Sequence, residues 1–141
     1  MTQPQTGLYI HIPFCSKKCF FCSFAVCVGK AHHIDSYLEC LAVEAKKYAG
    51  KAIDTIYIGG GTPTLLNEPQ LQKLHKIISE NFKIAKNCEY TIETNPDTVD
   101  LPKAKLLRAL GVNRISLGAQ SFDDAYLKFL GRTHSALDIL K

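Results

Sequence analysis

The chain has 141 residues, 46% of them hydrophobic and 21% charged. That is the balance of one globular domain, and it excludes a disordered, collagen-like or fibrous chain. The net charge is +4, but Lys and Arg are scattered and form no tract, so a solvated, mildly basic surface is expected and no nucleic-acid partner. No apolar run reaches the roughly 18 residues of a transmembrane helix. The opening MTQPQTGLYI has neither the basic nor the apolar part of a secretory signal, which makes the cytoplasm the expected location.

Strand-like and helix-like segments alternate along the chain. Leu8–Ile12 is a short β-rich run closed by Pro13. Apolar residues at 34, 37, 38, 41, 45 and 48 predict an amphipathic helix over Ile34–Tyr48, with Gly50 as its stop. Thr55–Ile58 reads as a second strand and runs straight into Gly59-Gly60-Gly61-Thr62-Pro63. Asn67, Pro69 and Gln70 have the pattern of a capped helix start, and Leu71, Leu74, Ile77, Ile78 and Phe82 supply the apolar face. Tyr90–Glu93 is a third strand, followed by Thr94-Asn95-Pro96. Asp100 is placed to cap a helix that stops at Gly111. Arg114–Gly118 is a fourth strand, Tyr126, Leu127 and Leu130 lie on a further helix, and Ser135 caps the last.

Alternation of this kind predicts an α/β fold with a parallel sheet and helices outside it. Four βα units are too few to close an eight-stranded barrel, so an open sheet or partial barrel is expected. The chemically unusual residues all fall where predicted strands end, and in parallel α/β folds the carboxyl ends of strands form the binding face.

Six cysteines are present, at 15, 19, 22, 27, 40 and 88, and the first three stand at C-x3-C-x2-C. In a chain without secretory features, such crowding reads as metal or cluster ligation. Three thiolates from one short loop can hold three corners of an iron–sulfur cubane and leave the fourth iron open. The alternative is a structural zinc site, which needs four ligands, the fourth coming from Cys27, His11, His32 or His33. Cys40 and Cys88 read as core thiols.

The glycine triplet can bring a ligand close to exposed backbone groups, or serve only as a tight turn. It is neither a P-loop nor a dinucleotide fingerprint. Glu93 can accept hydrogen bonds from hydroxyls, or pair with Arg114. Gln120 carries a donor and an acceptor, usable on a ligand or on its own loop. Arg132 can meet a carboxylate with its planar fork, or point to solvent. Tyr9 and Phe21 flank the cysteine loop and either shield a ligand or pack in the core.

Together these residues resemble the radical S-adenosylmethionine (SAM) superfamily. The likeness runs through LYIHIPFCSKKCFFCSF, TIYIGGGTPTLL, YTIETNPDTVD, LLRALGVNRISLGAQSFDD and LKFLGRTH, from residue 8 to residue 134. It is sharpest to the branch that holds the oxygen-independent coproporphyrinogen III oxidases and the haem chaperones. The resemblance implies a (β/α)6 core, of which residues 1–141 would be the N-terminal part, ending within the fourth βα unit.

It also implies a mechanism. Cys15, Cys19 and Cys22 would hold a [4Fe–4S] cluster, and SAM would chelate the open iron. One electron would cleave the sulfonium to methionine and a 5′-deoxyadenosyl radical, so no catalytic residue beyond the cofactor ligands is expected. Tyr9 and Phe21 would line the SAM pocket, and Gly60, Gly61 and Thr62 would meet the methionine part. Glu93 would bind the ribose or a neighbouring polar group, and Gln120 and Arg132 would contact SAM. Haem or a porphyrinogen and an electron donor such as a flavodoxin or ferredoxin are the implied partners of the full-length protein. The oxidases carry a further cysteine two residues after the third ligand. Phe24 stands at that place here, which favours the chaperone type.

Overall fold

A computed structural model describes residues 6–141. In chain order the elements are β1 (Gly7–Ile12), β2 (Phe14–Cys15), β3 (Cys27–Val28), α1 (Ile34–Lys46), β4 (Ala52–Gly60), α2 (Glu68–Asn81), β5 (Lys83–Thr94), α3 (Leu101–Ala109), β6 (Arg114–Leu117), α4 (Asp124–Phe129) and α5 (Ala136–Ile139). The main sheet has the order β1-β4-β5-β6, with every neighbouring pair parallel. Each strand therefore lies beside its predecessor in the βα series, as the alternation predicts.

Period-two alternation divides the sheet into two faces. Ile10, Ile12, Ile56, Ile58, Tyr90 and Ile92 are buried in one core with Leu38 of α1, Leu71, Leu74 and Ile78 of α2 and Leu107 of α3. Burying one such isoleucine contributes roughly 2 kcal/mol. Residues of opposite parity form layers on the second face. Tyr9, Tyr57, Thr91 and Arg114 stand in register across the four strands, and His11–Gly59 and Glu93–Ser116 are paired further along. The strands thus deliver Glu93 and the glycine segment to one end of the sheet.

Several elements differ from expectation. The helix ends at Lys46, with Tyr48 in the turn before Gly50. β4 runs on to Gly60, so two glycines of the triplet belong to the strand. β5 begins at Lys83, well before the predicted Tyr90. Its polar first half pairs Lys83 and Ile84 with Ala52 and Ile53, then the register jumps to Glu89 opposite Thr55. Such a bulge hides the alternation that marks a strand. Cys88 is buried as expected, but Cys40 is exposed on α1. The small β2–β3 sheet lacked any periodic signal.

The caps follow the sequence closely. Asn67 and Gln70 exchange side-chain and backbone hydrogen bonds in a full capping box at the start of α2, and Asp100 and Ser135 cap α3 and α5. Asn67→Ala is expected to cost about 1 kcal/mol of stability, measured by denaturant unfolding, with no effect on the site described next.

Candidate functional site

The cysteine loop is fastened at both ends. Leaving β1 through Pro13, the chain forms β2, loops out, and returns as β3, which pairs Phe14 with Cys27 and Cys15 with Val28. The Cys27 amide donates to the Pro13 carbonyl at 2.7 Å. His11 pins the returning limb, with Nε2 at 2.9 Å from the Ala25 carbonyl and Nδ1 at 2.9 Å from the Tyr9 hydroxyl. On the far side, the Phe20 amide donates to the Leu130 carbonyl at 3.1 Å, and Arg132 Nη1 donates to Cys19 Sγ at 3.2 Å. The segment after α4 therefore clasps the loop.

Beneath the loop lies a cavity of about 290 Å³. Cys15, Cys19 and Cys22 line one side, and Gly60–Thr62, Glu93, Asn95, Gly118, Gln120 and Arg132 are among the residues that line the others. The glycine segment reaches it by running beside the start of the loop: the Gly61 amide donates to Ile12 O and the Thr62 amide to Phe14 O, both at 2.8 Å. Only glycine fits at 61, since a Cβ there would stand 2.6 Å from Phe14 O and 2.9 Å from Cys15 Sγ. Burial pushes the Cys15 thiol above its ordinary pKa; the Thr62 hydroxyl opposes the rise, Cys22 and Cys19 add to it, and Arg132 also opposes it.

Glu93 faces the cavity and has no cationic partner among the described residues. Its carboxylate accepts the Tyr57 hydroxyl at 2.7 Å and the Gly60 amide at 3.0 Å. The Tyr57 phenol is held above its ordinary pKa, first by that hydrogen bond and then by burial. Arg114, the alternative partner for Glu93, pairs with Glu89 at 2.8 Å instead. Arg132 Nη2 donates to Asn95 Oδ1 at 2.6 Å and Gly118 O at 3.1 Å, and lies 3.4 Å from His134 Nδ1. Its Nε is buried with no partner. Every acceptor around Nη2 is uncharged, so the guanidinium keeps most of its charge for a ligand. Gln120 has φ of 66°, the only non-glycine residue at positive φ among the described residues.

Sequence reasoning named just under half of this lining. Phe21, Gly60, Gly61, Thr62, Glu93, Gln120, Arg132 and the three cysteines share the cavity wall. Tyr9 does not line it. It lies in the layer below His11, its ring stacked on Tyr57 at 6.1 Å, so it reaches the site through its neighbours, by Tyr57 to Glu93 and by its hydrogen bond to His11. Asn95, Tyr57 and His134 were missed. Asn95 carried a signal, since it follows a strand end directly, but an Asn-Pro pair reads first as a turn. His134 and Tyr57 carried none.

The donor set suits a cluster better than a single ion. Among the described residues no three His, Cys, Asp or Glu side chains converge as ligands of one metal ion. Cubane thiolates each reach a different iron and so stand farther apart than ligands of one tetrahedral zinc. The zinc alternative also lacks its fourth ligand. Cys27 is exposed in β3, both ring nitrogens of His11 are engaged, and His32 and His33 are exposed and stacked on each other at 4.1 Å.

A parallel α/β sheet whose strand ends gather a three-thiol loop, a glycine segment and an unpaired carboxylate defines a cluster- and nucleotide-binding class of protein. The profile of the Radical SAM superfamily matches residues 9–141, and the chain belongs to that superfamily, whose members use a [4Fe–4S] cluster and SAM. It is 41% identical to the heme chaperone HemW of Lactococcus lactis over 99% of this chain and 37% of that protein. It is 39% identical to the oxygen-independent coproporphyrinogen III oxidase of Escherichia coli over 89% of this chain and 29% of that protein. The structure of Escherichia coli coproporphyrinogen III oxidase (HemN) superposes with a TM-score of 0.86 at 36% identity, over 96% of this chain and 32% of that one. The parallel sheet is thus a partial barrel, and the chain spans about a third of the length of these relatives.

Proposed function

We propose that this chain forms the cluster- and SAM-binding part of a radical SAM haem chaperone. The observation that carries the reading is the single cavity shared by three thiols, the glycine segment, Glu93 and Arg132. Cys15, Cys19 and Cys22 would hold the cluster, which when loaded supplies one-electron cleavage of a sulfonium. The backbone of Gly60 and Gly61 and the Thr62 hydroxyl would seat the methionine part. Glu93, already accepting two hydrogen bonds, would take a ribose or neighbouring polar group. Arg132 would offer its positive charge, and Gln120 its amide. Phe21 would cover the ligand from the loop side.

Phe24 in place of the oxidases' extra cysteine favours the chaperone over the oxidase. The structural likeness to HemN keeps coproporphyrinogen III oxidation as the second reading. Among the described residues nothing pairs with the outer edge of β6, where Ile115 and Leu117 are exposed, which suits a longer core whose later strands cover it. Six free thiols fit a reducing compartment such as the cytoplasm. Among the described residues no helix is long and apolar enough to cross a membrane. Lys17 and Lys18 are exposed on the cysteine loop, which suits an acidic flavodoxin- or ferredoxin-like donor.

In the complete gene product, loaded anaerobically, haem should bind and pass to an apo-acceptor, while coproporphyrinogen III is left unchanged. Conversion of coproporphyrinogen III to protoporphyrinogen IX would establish the second reading instead.

A further inference from the structure

Cys15 and Cys19 are the two ends of one chain of hydrogen bonds that crosses the cavity wall. Arg132 Nη1 donates to Cys19 Sγ at 3.2 Å, and Nη2 donates to Asn95 Oδ1 at 2.6 Å. Asn95 Nδ2 donates to Thr62 Oγ1 at 3.3 Å, and Thr62 Oγ1 lies 3.7 Å from Cys15 Sγ. The direction of every link follows from the ends. A guanidinium has donors only, so Asn95 must turn its oxygen to Arg132 and its NH₂ to Thr62. The Thr62 hydroxyl has one proton. Because its oxygen accepts from Asn95, that proton is free to point at the Cys15 sulfur.

Asn95 is held in this orientation. Its backbone amide donates to Thr98 Oγ1 at 3.2 Å, which fixes the main chain that carries it, and Gly118 leaves the side chain room, since a Cβ there would stand 2.8 Å from Oδ1. Thr62 is 5% exposed, so water does not compete freely for its hydroxyl.

We propose that Asn95 is a positioning residue that aims one O–H and one guanidinium N–H at two of the three cluster sulfurs. Hydrogen bonds to thiolate sulfur favour the more negative, reduced state, and so raise the reduction potential of the group those thiolates hold. The inference rests on the cluster reading of Cys15, Cys19 and Cys22.

The test uses the complete gene product, reconstituted anaerobically, with the midpoint potential read by an EPR-monitored titration. Asn95→Asp conserves shape and the Arg132 contact but accepts at both ends, so the Thr62 proton turns away from Cys15. The potential should fall, with iron content unchanged. Added negative charge alone would also lower it, so Thr62→Val provides the decisive comparison. It should lower the potential with Asn95 in place and have no further effect beside Asn95→Asp, while Thr62→Ser stays at the parent value. Should Asn95→Asp fail to load, Asn95→Ala is read by itself: with neither the Arg132 acceptor nor the Thr62 donor in place, its potential should fall, and a parent-like potential overturns the proposal. An equal shift from Thr62→Val in both backgrounds, or none in either, overturns the proposal. A parent protein that takes up no cluster overturns the cluster reading itself.

Discussion

Serine at Cys15, Cys19 and Cys22 together is expected to bring iron content and visible absorption of the anaerobically reconstituted protein down to background, while serine at Cys27 or Cys40 leaves both intact. The three thiols are the ones that line the cavity, and thiolate is the ligand an iron–sulfur cluster requires. Serine hydroxyls at the same places lack both the softness and the acidity for that role. Cys27 is a near neighbour in sequence, but β3 carries it out of the cavity, and Cys40 lies on the exposed side of α1. Metal analysis of the parent protein reads out the rival chemistry in the same experiment: zinc near one per chain without iron would restore the single-ion reading. Full iron retention by the triple variant would sink the ligand assignment.

The parts of the fold that were legible are those whose signal is local. Asn67, Asp100 and Ser135 announce helix starts because a cap acts within one turn. Ile56 and Ile58, or Tyr90 and Ile92, mark strands because alternation is a two-residue property. What could not be read depends on partners far along the chain. The first half of β5 is largely polar and precedes a bulge, so its pairing with Ala52 and Ile53 is set by β4 and the end of α2 rather than by its own composition. The β2–β3 pair exists because the cysteine loop closes on itself.

The site divides the same way. Cysteine spacing and a glycine triplet show their chemistry wherever they occur. Asn95 matters through Thr62 and Arg132, which lie 33 and 37 residues away, and no window of sequence holds all three. Tyr9 shows the reverse case. The resemblance implied a place in the pocket, and nearness to the loop left core packing equally open; strand direction sets it one layer below His11.

Gly61→Ala is expected to lower stability by about 1–3 kcal/mol, the usual cost of overpacking, and to speed loss of iron to a chelator at least tenfold. The added methyl would stand 2.6 Å from Phe14 O and 2.9 Å from the Pro13 carbonyl carbon. Backbone obstacles cannot rotate aside as a side chain does. Phe14 O is moreover the atom that accepts the Thr62 amide at 2.8 Å, so relief of the clash must break the contact that seats the glycine segment under the loop. The same methyl would press on Cys15 Sγ at 2.9 Å, moving a ligand sulfur out of place. Gly29→Ala is the control. Its φ of 67° makes alanine strained, at about 1 kcal/mol, but nothing lies within 4 Å of the new atom. That variant should lose melting temperature without losing iron. If Gly61→Ala melts and holds iron like the parent, close packing is not what the residue provides, and the cavity wall must be more pliable than its hydrogen bonds indicate.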